Sequence, residues 1–354
     1  MQSNDSSPPG TIGEIGERGL ITEISRLAGR ARPPVKTGIG DDAALITISP
    51  GYDLVASCDN VPEDLFAWAR GLISPAELGE YAVRVNISDL ASMGATPIAL
   101  LWMVRAPSST PVRDFLSLAG GFIRAARRYR AALAGGDTKE SRMLSIGATA
   151  LGELQPSRAL TRGSARRGDA VFCSGSLGLP SAAITYFARW DRHTGPLGAR
   201  EVATLRRSLW SPEPRVALGV QLAADGACTS CIDNTDGVGR SLLELAKSSA
   251  CELEIDEERL PLHPLVRKVA QLVGRSPVEL TFAMGLDLNL IGTLAPHRPV
   301  PDSVTVIGRV TRGRGVIVRN GRGSRIEYDN GNTFEHFGIP FAERAARMVD
   351  GMET

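Results

Sequence analysis

Asp42, Asp59, Asp89, Asp137, Asp233 and Asp236 stand in settings from which a carboxylate can reach a ligand. Asp42, with Asp41 before it, lies in the glycine-rich stretch Gly38-Ile39-Gly40-Asp41-Asp42-Ala43-Ala44. Asp59 follows a strand predicted over Leu54 to Ser57, Asp89 follows Val85-Asn86-Ile87-Ser88, and Asp137 follows Ala131-Ala132-Leu133-Ala134-Gly135-Gly136. Asp233 and Asp236 share Cys231-Ile232-Asp233-Asn234-Thr235-Asp236-Gly237. An acid at the end of an apolar run or in a glycine turn sits at the rim of a sheet, where ligands bind. Carboxylates gathered at one rim repel one another and need cations, and hard oxygen donors without His or Cys favour Mg²⁺. Mg²⁺ keeps waters and shares its ligands with phosphates. Gly40, Gly135, Gly136 and Gly237 beside the acids allow backbone N–H groups to approach a phosphate. Singly, each acid also suits a structural role, Asp89 as a helix cap before Leu90-Ala91-Ser92-Met93 and Asp236-Gly237 as an ordinary turn. Their recurrence favours a Mg–nucleotide site. No G-x-x-x-x-G-K-[ST] and no kinase glycine loop followed by His-Arg-Asp is present, so such a site is of another kind.

The elements that must position these acids follow from periodicity. Ile15, Leu20, Ile21, Ile24 and Leu27 recur at helical spacing over Glu14 to Leu27. Ala43 to Ile48 and Leu54 to Ser57, separated by Ser49-Pro50-Gly51, predict a hairpin. Ser74-Pro75-Ala76-Glu77 has the form of a capping box that launches a helix through Asn86. Thr110-Pro111 starts an amphipathic helix carrying Phe115, Leu118, Phe122, Ile123 and Ala126. Strands are predicted at Met143 to Leu154, Ala170 to Ser174, Ala227 to Asp233, Glu252 to Ile255, Leu288 to Leu294, Val304 to Val310 and Val316 to Arg319. Helices are predicted at Glu213 to Ala223 and Val238 to Ser248. This alternation in both halves argues for two α+β or α/β domains, with Arg158 to Gly168 as the hinge. The division is a flexible tail at 1–12, an N-terminal domain at 13–157, a C-terminal α/β domain at 158–345 and a flexible tail at 346–354.

Composition narrows the function classes. In 354 residues, 40 Lys and Arg against 39 Asp and Glu leave a formal charge of +1, too little to make nucleic acid the main ligand. No run of 18 apolar residues exists, and Met1 to Gly10 is polar and Pro-rich, which disfavours membrane spanning and secretion. An odd count of five cysteines is no disulfide framework, so the cytoplasm is the expected compartment.

The blocks GIGDDAA (38–44), SCD (57–59), VNISDLASMGATP (85–97), AGGDT (134–138), RALTRGSARRGD (158–169) and IDNTDGV (232–238) resemble thiamine-monophosphate kinases. That family belongs to the aminoimidazole-ribonucleotide synthetase superfamily, and the resemblance runs in order from Glu14 to Phe337. It implies a two-domain α/β enzyme whose N-terminal domains bind ATP and Mg²⁺ and pair their strands into the shared barrel of a homodimer. Carried over motif by motif, Asp42, Asp59, Asp89, Asp137, Asp233 and Asp236 hold the metals, with Ser57 and Cys58 beside them. Gly136, Asp137, Arg162 and Thr235 match ATP contacts, and Asp42 and Asp236 are the acids on which catalysis is expected to depend most. The implied reaction is in-line phosphoryl transfer from ATP to a substrate phosphate, run by metal clamping and positioning. Alternatives within the superfamily are phosphorylation of an amide or carboxamide oxygen, or nucleotide binding without catalysis.

Departures from the family pattern fall at the acceptor. Phe66 stands at the position of a family His, and Leu286 at the first Glu of Gly-Gly-Glu-Asp-Tyr-Glu-Leu, here Met284-Gly285-Leu286-Asp287-Leu288-Asn289-Leu290. Phe334 heads Phe334-Glu335-His336-Phe337, which resembles a family aromatic-Asp-His-Phe whose first ring packs on the substrate. Phe66, Leu286 and Phe334 therefore predict an apolar acceptor end on which thiamine monophosphate turns over poorly. Ser57-Cys58-Asp59 exchanges a family hydroxyl for a thiol. Cys228-x-x-Cys231 falls in a predicted strand without a second pair, which suits burial better than metal binding. His193, His263, His297 and His336 have no metal spacing, and Arg124, Arg127, Arg128 and Arg130 suit a solvated helix face.

Overall fold

A computed structural model describes residues 10–191, 193–320 and 325–328. In chain order it contains α1 (Ile12–Ala28), β1 (Val35–Thr37), β2 (Leu45–Ile46), β3 (Asp53–Val61), α2 (Phe66–Ala69), α3 (Pro75–Ser92), β4 (Thr96–Ala106), α4 (Val112–Arg128), β5 (Ala132–Glu140) and β6 (Ser145–Leu154). There follow β7 (Ala170–Ser174), α5 (Leu179–Arg189), α6 (Ala199–Ser208), α7 (Val216–Asp225), β8 (Cys228–Asp233), α8 (Val238–Ser248) and β9 (Glu252–Asp256). The last are α9 (Pro264–Val273), α10 (Pro277–Ala283), β10 (Leu290–Leu294), β11 (Val304–Thr311), β12 (Gly315–Arg319) and β13 (Arg325–Tyr328). The chain divides into two compact units. Unit 1 takes in the described residues up to Pro50, Ala56–Asn86 and Pro97–Glu153; unit 2 takes in Gly51–Val55, Ile87–Thr96 and the chain from Leu154.

A four-stranded sheet runs in the order β3-β6-β4-β5. α4 buries the apolar stripe of Phe115, Leu118, Phe122, Ile123 and Ala126, as its spacing predicts. Trp102 of β4 meets Phe115 and Phe122 edge-on at centroid distances of 6.1 and 5.6 Å, a favoured geometry for aromatic rings. The capping box at α3 forms as read: Ser74 N–H reaches Glu77 Oε2 at 2.7 Å and Glu77 N–H reaches Ser74 Oγ at 3.3 Å. α3 does not stop at Asn86, however. Ile87, Leu90 and Ala91 are wholly buried and no breaker intervenes before Gly94, so the helix runs to Ser92 and carries Asp89 in its last turn.

The hairpin predicted from Ala43–Ile48 and Leu54–Ser57 does not form. β2 pairs with β1 instead, through Val35↔Ile46 and Thr37↔Leu45, and β3 lies beside β6. Nine residues of β3 satisfy more backbone groups against the ten of β6 than against a two-residue partner. β4 and β5 are strands that the sequence reading does not place. β4 is a nearly continuous apolar run, which periodicity cannot separate from a buried helix, and β5 is interrupted by Gly135-Gly136.

Unit 2 is built on a seven-stranded sheet in the order β13-β12-β9-β11-β7-β10-β8. The pairings are antiparallel except β9 with β12, which is parallel. Val238, Leu242 and Leu245 of α8 join Val171, Leu253, Ile255, Val316 and Val318 of the sheet in one buried core. β10 begins at Leu290 rather than at Leu288, because Leu286 and Leu288 adopt left-handed backbone (φ 76° and 53°) that no strand accommodates. Among the described residues no helix is long and apolar enough to cross a membrane.

Candidate functional site

Three of the acids come together in unit 2. β8 delivers Asp233 at its last residue, the turn after it carries Asn234, Thr235 and Asp236, and the final turn of α3 supplies Asp89. Asp233 is 4% exposed. The wholly buried Ser88 donates its hydroxyl to Asp233 Oδ2 at 2.6 Å, and Ser241 donates to the Asp233 carbonyl at 2.9 Å. Burial, followed by the negative charges of Asp89 and Asp236, pushes the Asp233 carboxyl up to about 7; the Ser88 hydrogen bond and the Arg162 charge pull the other way. One buried carboxylate repelled by two half-buried ones is a donor set that suits a hard divalent cation. Among the described residues no group of three or more His, Cys, Asp and Glu side chains forms a ready-made cage. Mg²⁺ characteristically keeps several waters and shares its remaining positions with phosphate oxygens.

Two neighbouring features favour phosphate. The turn 234–237 leads into the N-terminus of α8, where unpaired N–H groups and the helix dipole attract anions. Arg162 is exposed, but its backbone is pinned: Ser249 Oγ donates to the Arg162 carbonyl at 3.0 Å and accepts the Ala165 N–H at 3.1 Å. One residue earlier, the Thr161 carbonyl accepts the Cys231 N–H at 2.9 Å.

Asp42, Asp59 and Asp137 lie in unit 1 and are more open. Asp42 is exposed in a turn where its N–H meets Asp41 Oδ1 at 2.9 Å. Asp59 does not end a strand as expected; it sits inside β3, half-buried, with its N–H bound by Asn86 Oδ1 at 3.0 Å. Strand alternation puts Ser57 on the face of Asp59 and the exposed Cys58 on the other. Asp137 is likewise inside a strand rather than after a glycine turn. It is exposed on β5, with Lys139 Nζ 3.5 Å from its carboxylate. Gly136 pairs with Trp102 at φ 150°, and a Cβ there would overlap the Trp102 carbonyl oxygen, so only glycine brings β5 this close to β4. A cavity of ≈ 690 Å³ opens beside Gly38 and Ile39, with Arg30, Arg32, Arg127 and Arg130 on its rim and Val35, Ile123 and Leu133 among its apolar lining.

The acceptor positions divide. Phe66 is buried, with the Arg70 guanidinium 5.4 Å from its ring centroid. Leu286 is half-buried in the loop before β10. Phe334 lies outside the described residues. The cysteines at 228 and 231 are both in β8, as read, and Arg124, Arg127, Arg128 and Arg130 are exposed. Sequence reasoning misses Ser88, Asn86 and Asp287. The first two stand inside the quoted VNISDLASMGATP block, where a polar residue in an otherwise apolar helix signals a buried partner. Asp287 is 7% exposed, and burial pushes its carboxyl up to about 7 against the opposing hydrogen bonds from Gly178 and Leu179.

Known proteins resemble this chain in sequence and in fold. Residues 40–154 match the family described as AIR synthase related protein, N-terminal domain. The thiamine-monophosphate kinase of Rhodopirellula baltica is 31% identical over 86% of this chain and 91% of its own length. The crystal structure of thiamine-monophosphate kinase from Stenotrophomonas maltophilia K279a is 30% identical, with a TM-score of 0.73 over 84% of this chain and 95% of that one. A solved complex of AaThiL with AMPPCP and TMP is 28% identical, with a TM-score of 0.72 over 94% of this chain and 100% of that one. With that identity across nearly the whole of a relative, and with a matching fold, the chain belongs to the thiamine-monophosphate kinase family.

Proposed function

We propose that the protein is a Mg²⁺-dependent kinase that transfers the terminal phosphoryl group of ATP to the phosphate of a small acceptor of the thiamine monophosphate class. The observation that carries this is the buried Asp233, repelled by the half-buried Asp89 and Asp236 beside a helix N-terminus, in a chain of this family. Bound Mg²⁺ would neutralise phosphate charge and hold the transferring group in line. The chain's own part is positioning. Asp89, Asp233 and Asp236 hold metal, Arg162 and Thr235 contact ATP, and Ser88 keeps the Asp233 carboxylate fixed. Asp42, Asp59 and Asp137, with Ser57 and Cys58 beside them, supply the remaining metal positions, and Gly136 with Asp137 meets the nucleotide. The thiol of Cys58 faces away from Asp59, so a metal contact there is better suited to its backbone. No general base is needed, since a phosphate nucleophile is already ionised near neutral pH.

By the family positions they hold, Phe66, Leu286 and Phe334 would give the acceptor end a more apolar character. Residues 13–157 form the ATP- and Mg²⁺-binding and dimerisation domain and 158–345 the C-terminal one. The homodimer pairs N-terminal strands into a barrel. Exposed Leu45 on β2 and Leu54 on β3, with Met103 on β4, support an interface there. Sedimentation at micromolar concentration tests the dimer, and a monomer would refute it. For the reaction, ³¹P NMR of a mixture with ATP, Mg²⁺ and thiamine monophosphate should show ADP and a new diphosphate in equal amounts. ADP without a phosphorylated acceptor, across a panel of phosphate monoesters, would overturn the reading.

A further inference from the structure

The loop between α10 and β10 holds two leucines, Leu286 and Leu288, in the left-handed region on either side of Asp287. Non-glycine residues persist there only when their surroundings fix them. Asp287 is a large part of what fixes them. Its Oδ2 accepts the Gly178 N–H at 2.9 Å, at the start of α5, and the Asn234 side-chain amide at 3.3 Å. Backbone bonds bind the same loop to the same turn. Leu286 N–H reaches the Thr235 carbonyl at 2.9 Å, Leu288 N–H reaches the Asn234 carbonyl at 3.3 Å, and Asn234 N–H reaches the Asn289 carbonyl at 2.8 Å. The approach is so close that a Cβ on Gly285 would overlap the Thr235 carbonyl oxygen. Farther out, Asn289 is held by Arg215 Nε at 3.0 Å and donates to the Ser176 carbonyl at 2.8 Å.

Asn234 is 0% exposed, and its Oδ1 has no partner among the described residues. A buried amide left half-satisfied is costly, and among the described residues its side chain is held by the bond that Nδ2 makes to Asp287. We propose that Asp287 is a positioning residue: through Asn234 it sets the separation of the Asp233 and Asp236 carboxylates, and with the same loop it holds Leu286 at the acceptor position. One buried carboxylate thereby ties the metal turn to the acceptor loop. This rests on the reading of Asp233 and Asp236 as metal ligands.

The test is calorimetric titration of a non-hydrolysable ATP analogue, with and without Mg²⁺, into the wild type and into Asn234→Leu, Asp287→Asn, the double variant and Asp236→Asn, each with a thermal melt. Asn234→Leu fills a like volume and leaves the Asp287 bond to Gly178, so its melting temperature should hold. Its Mg²⁺-dependent binding should weaken about tenfold or more, the size of a hydrogen bond to a charged group. Asp287→Asn should weaken the same Mg²⁺-dependent part, and the double variant should lose no more than the worse single, as coupled groups do. Wild-type binding by Asn234→Leu, with a loss in Asp287→Asn that merely follows its melting temperature, would reduce Asp287 to a helix cap and overturn the inference. If Asp287→Asn does not fold, Asn234→Leu decides alone; if leucine does not fit, Asn234→Ala reads out the same bond. Unchanged binding in Asp236→Asn would instead refute the metal reading itself.

Discussion

Asp233 is buried at a strand end, takes a 2.6 Å hydrogen bond from Ser88 and feels the charges of Asp89 and Asp236. Asp137 lies exposed on an edge strand with Lys139 3.5 Å away, and Asp42 is exposed in a turn. The two regions thus prepare carboxylates differently. In unit 2 repulsion and desolvation are already present, so a cation relieves a cost the fold carries, and each charge acts through little water. In unit 1 the acids are screened and lose little by standing without a cation, so what they contribute depends on the ligand that gathers them.

The largest effect is expected for single removals of charge. Asp236→Asn and Asp42→Asn should each cut turnover by roughly 100-fold or more, because removing a charge that holds the metal costs several kcal/mol once the ligands enclose it. An equal loss at both would show that exposure in the free protein does not set an acid's value in the reaction. Full activity in both, measured as kcat at saturating ATP and Mg²⁺, would sink the metal assignment. Next comes Ser88→Ala, which deletes the hydroxyl on Asp233 and should weaken Mg²⁺ activation by about tenfold, the low end for a hydrogen bond to a charge. Ser57→Ala, on the open strand of unit 1, should matter less; a reversed order in Mg²⁺ titrations would break the contrast.

The acceptor end offers a gain. Leu286→Glu returns a carboxylate to the family position and should raise kcat/KM for thiamine monophosphate by about tenfold; no rise would remove Leu286 from the acceptor contacts. The smallest effect is on stability. Asp233 and Asp287 both have folded-state values raised to about 7 from 3.8. Their contribution is fully present below the unfolded value and is lost as pH rises through the folded one, because ionisation then occurs in a buried place. The metal-free protein should therefore melt a few degrees lower at pH 8 than at pH 5, and Asp233→Asn should flatten part of that slope. An unchanged slope in that variant would place the titration elsewhere.

What the sequence reveals depends on whether the signal is local. α4 and α8 are legible because their apolar stripes repeat every three or four residues, and the Ser74–Glu77 box fixes one end of α3. The other end is misread because Asn86 and Ser88 look like a polar break, whereas both are buried and bonded, Asn86 to Asp59 and Ser88 to Asp233. Asp233 and Asp236 are legible as acids at a strand end and in a turn. Asp59 and Asp137 are found as acids, but Asp59 is placed at a strand end because β3 outlasts its apolar residues, and Asp137 after a glycine turn because Gly135-Gly136 reads as one. Asp287 is invisible, since its partner Gly178 lies 109 residues away in the chain.

The most direct measurement is steady-state conversion of ATP and thiamine monophosphate with Mg²⁺ titrated from zero, in the wild type and in Asp236→Asn. The expected result is ADP and thiamine diphosphate formed one to one, slowly for this acceptor, strictly dependent on Mg²⁺ and nearly abolished in the variant. Turnover that survives chelation of the metal, or a variant as active as the wild type, would contradict a kinase built on these acids.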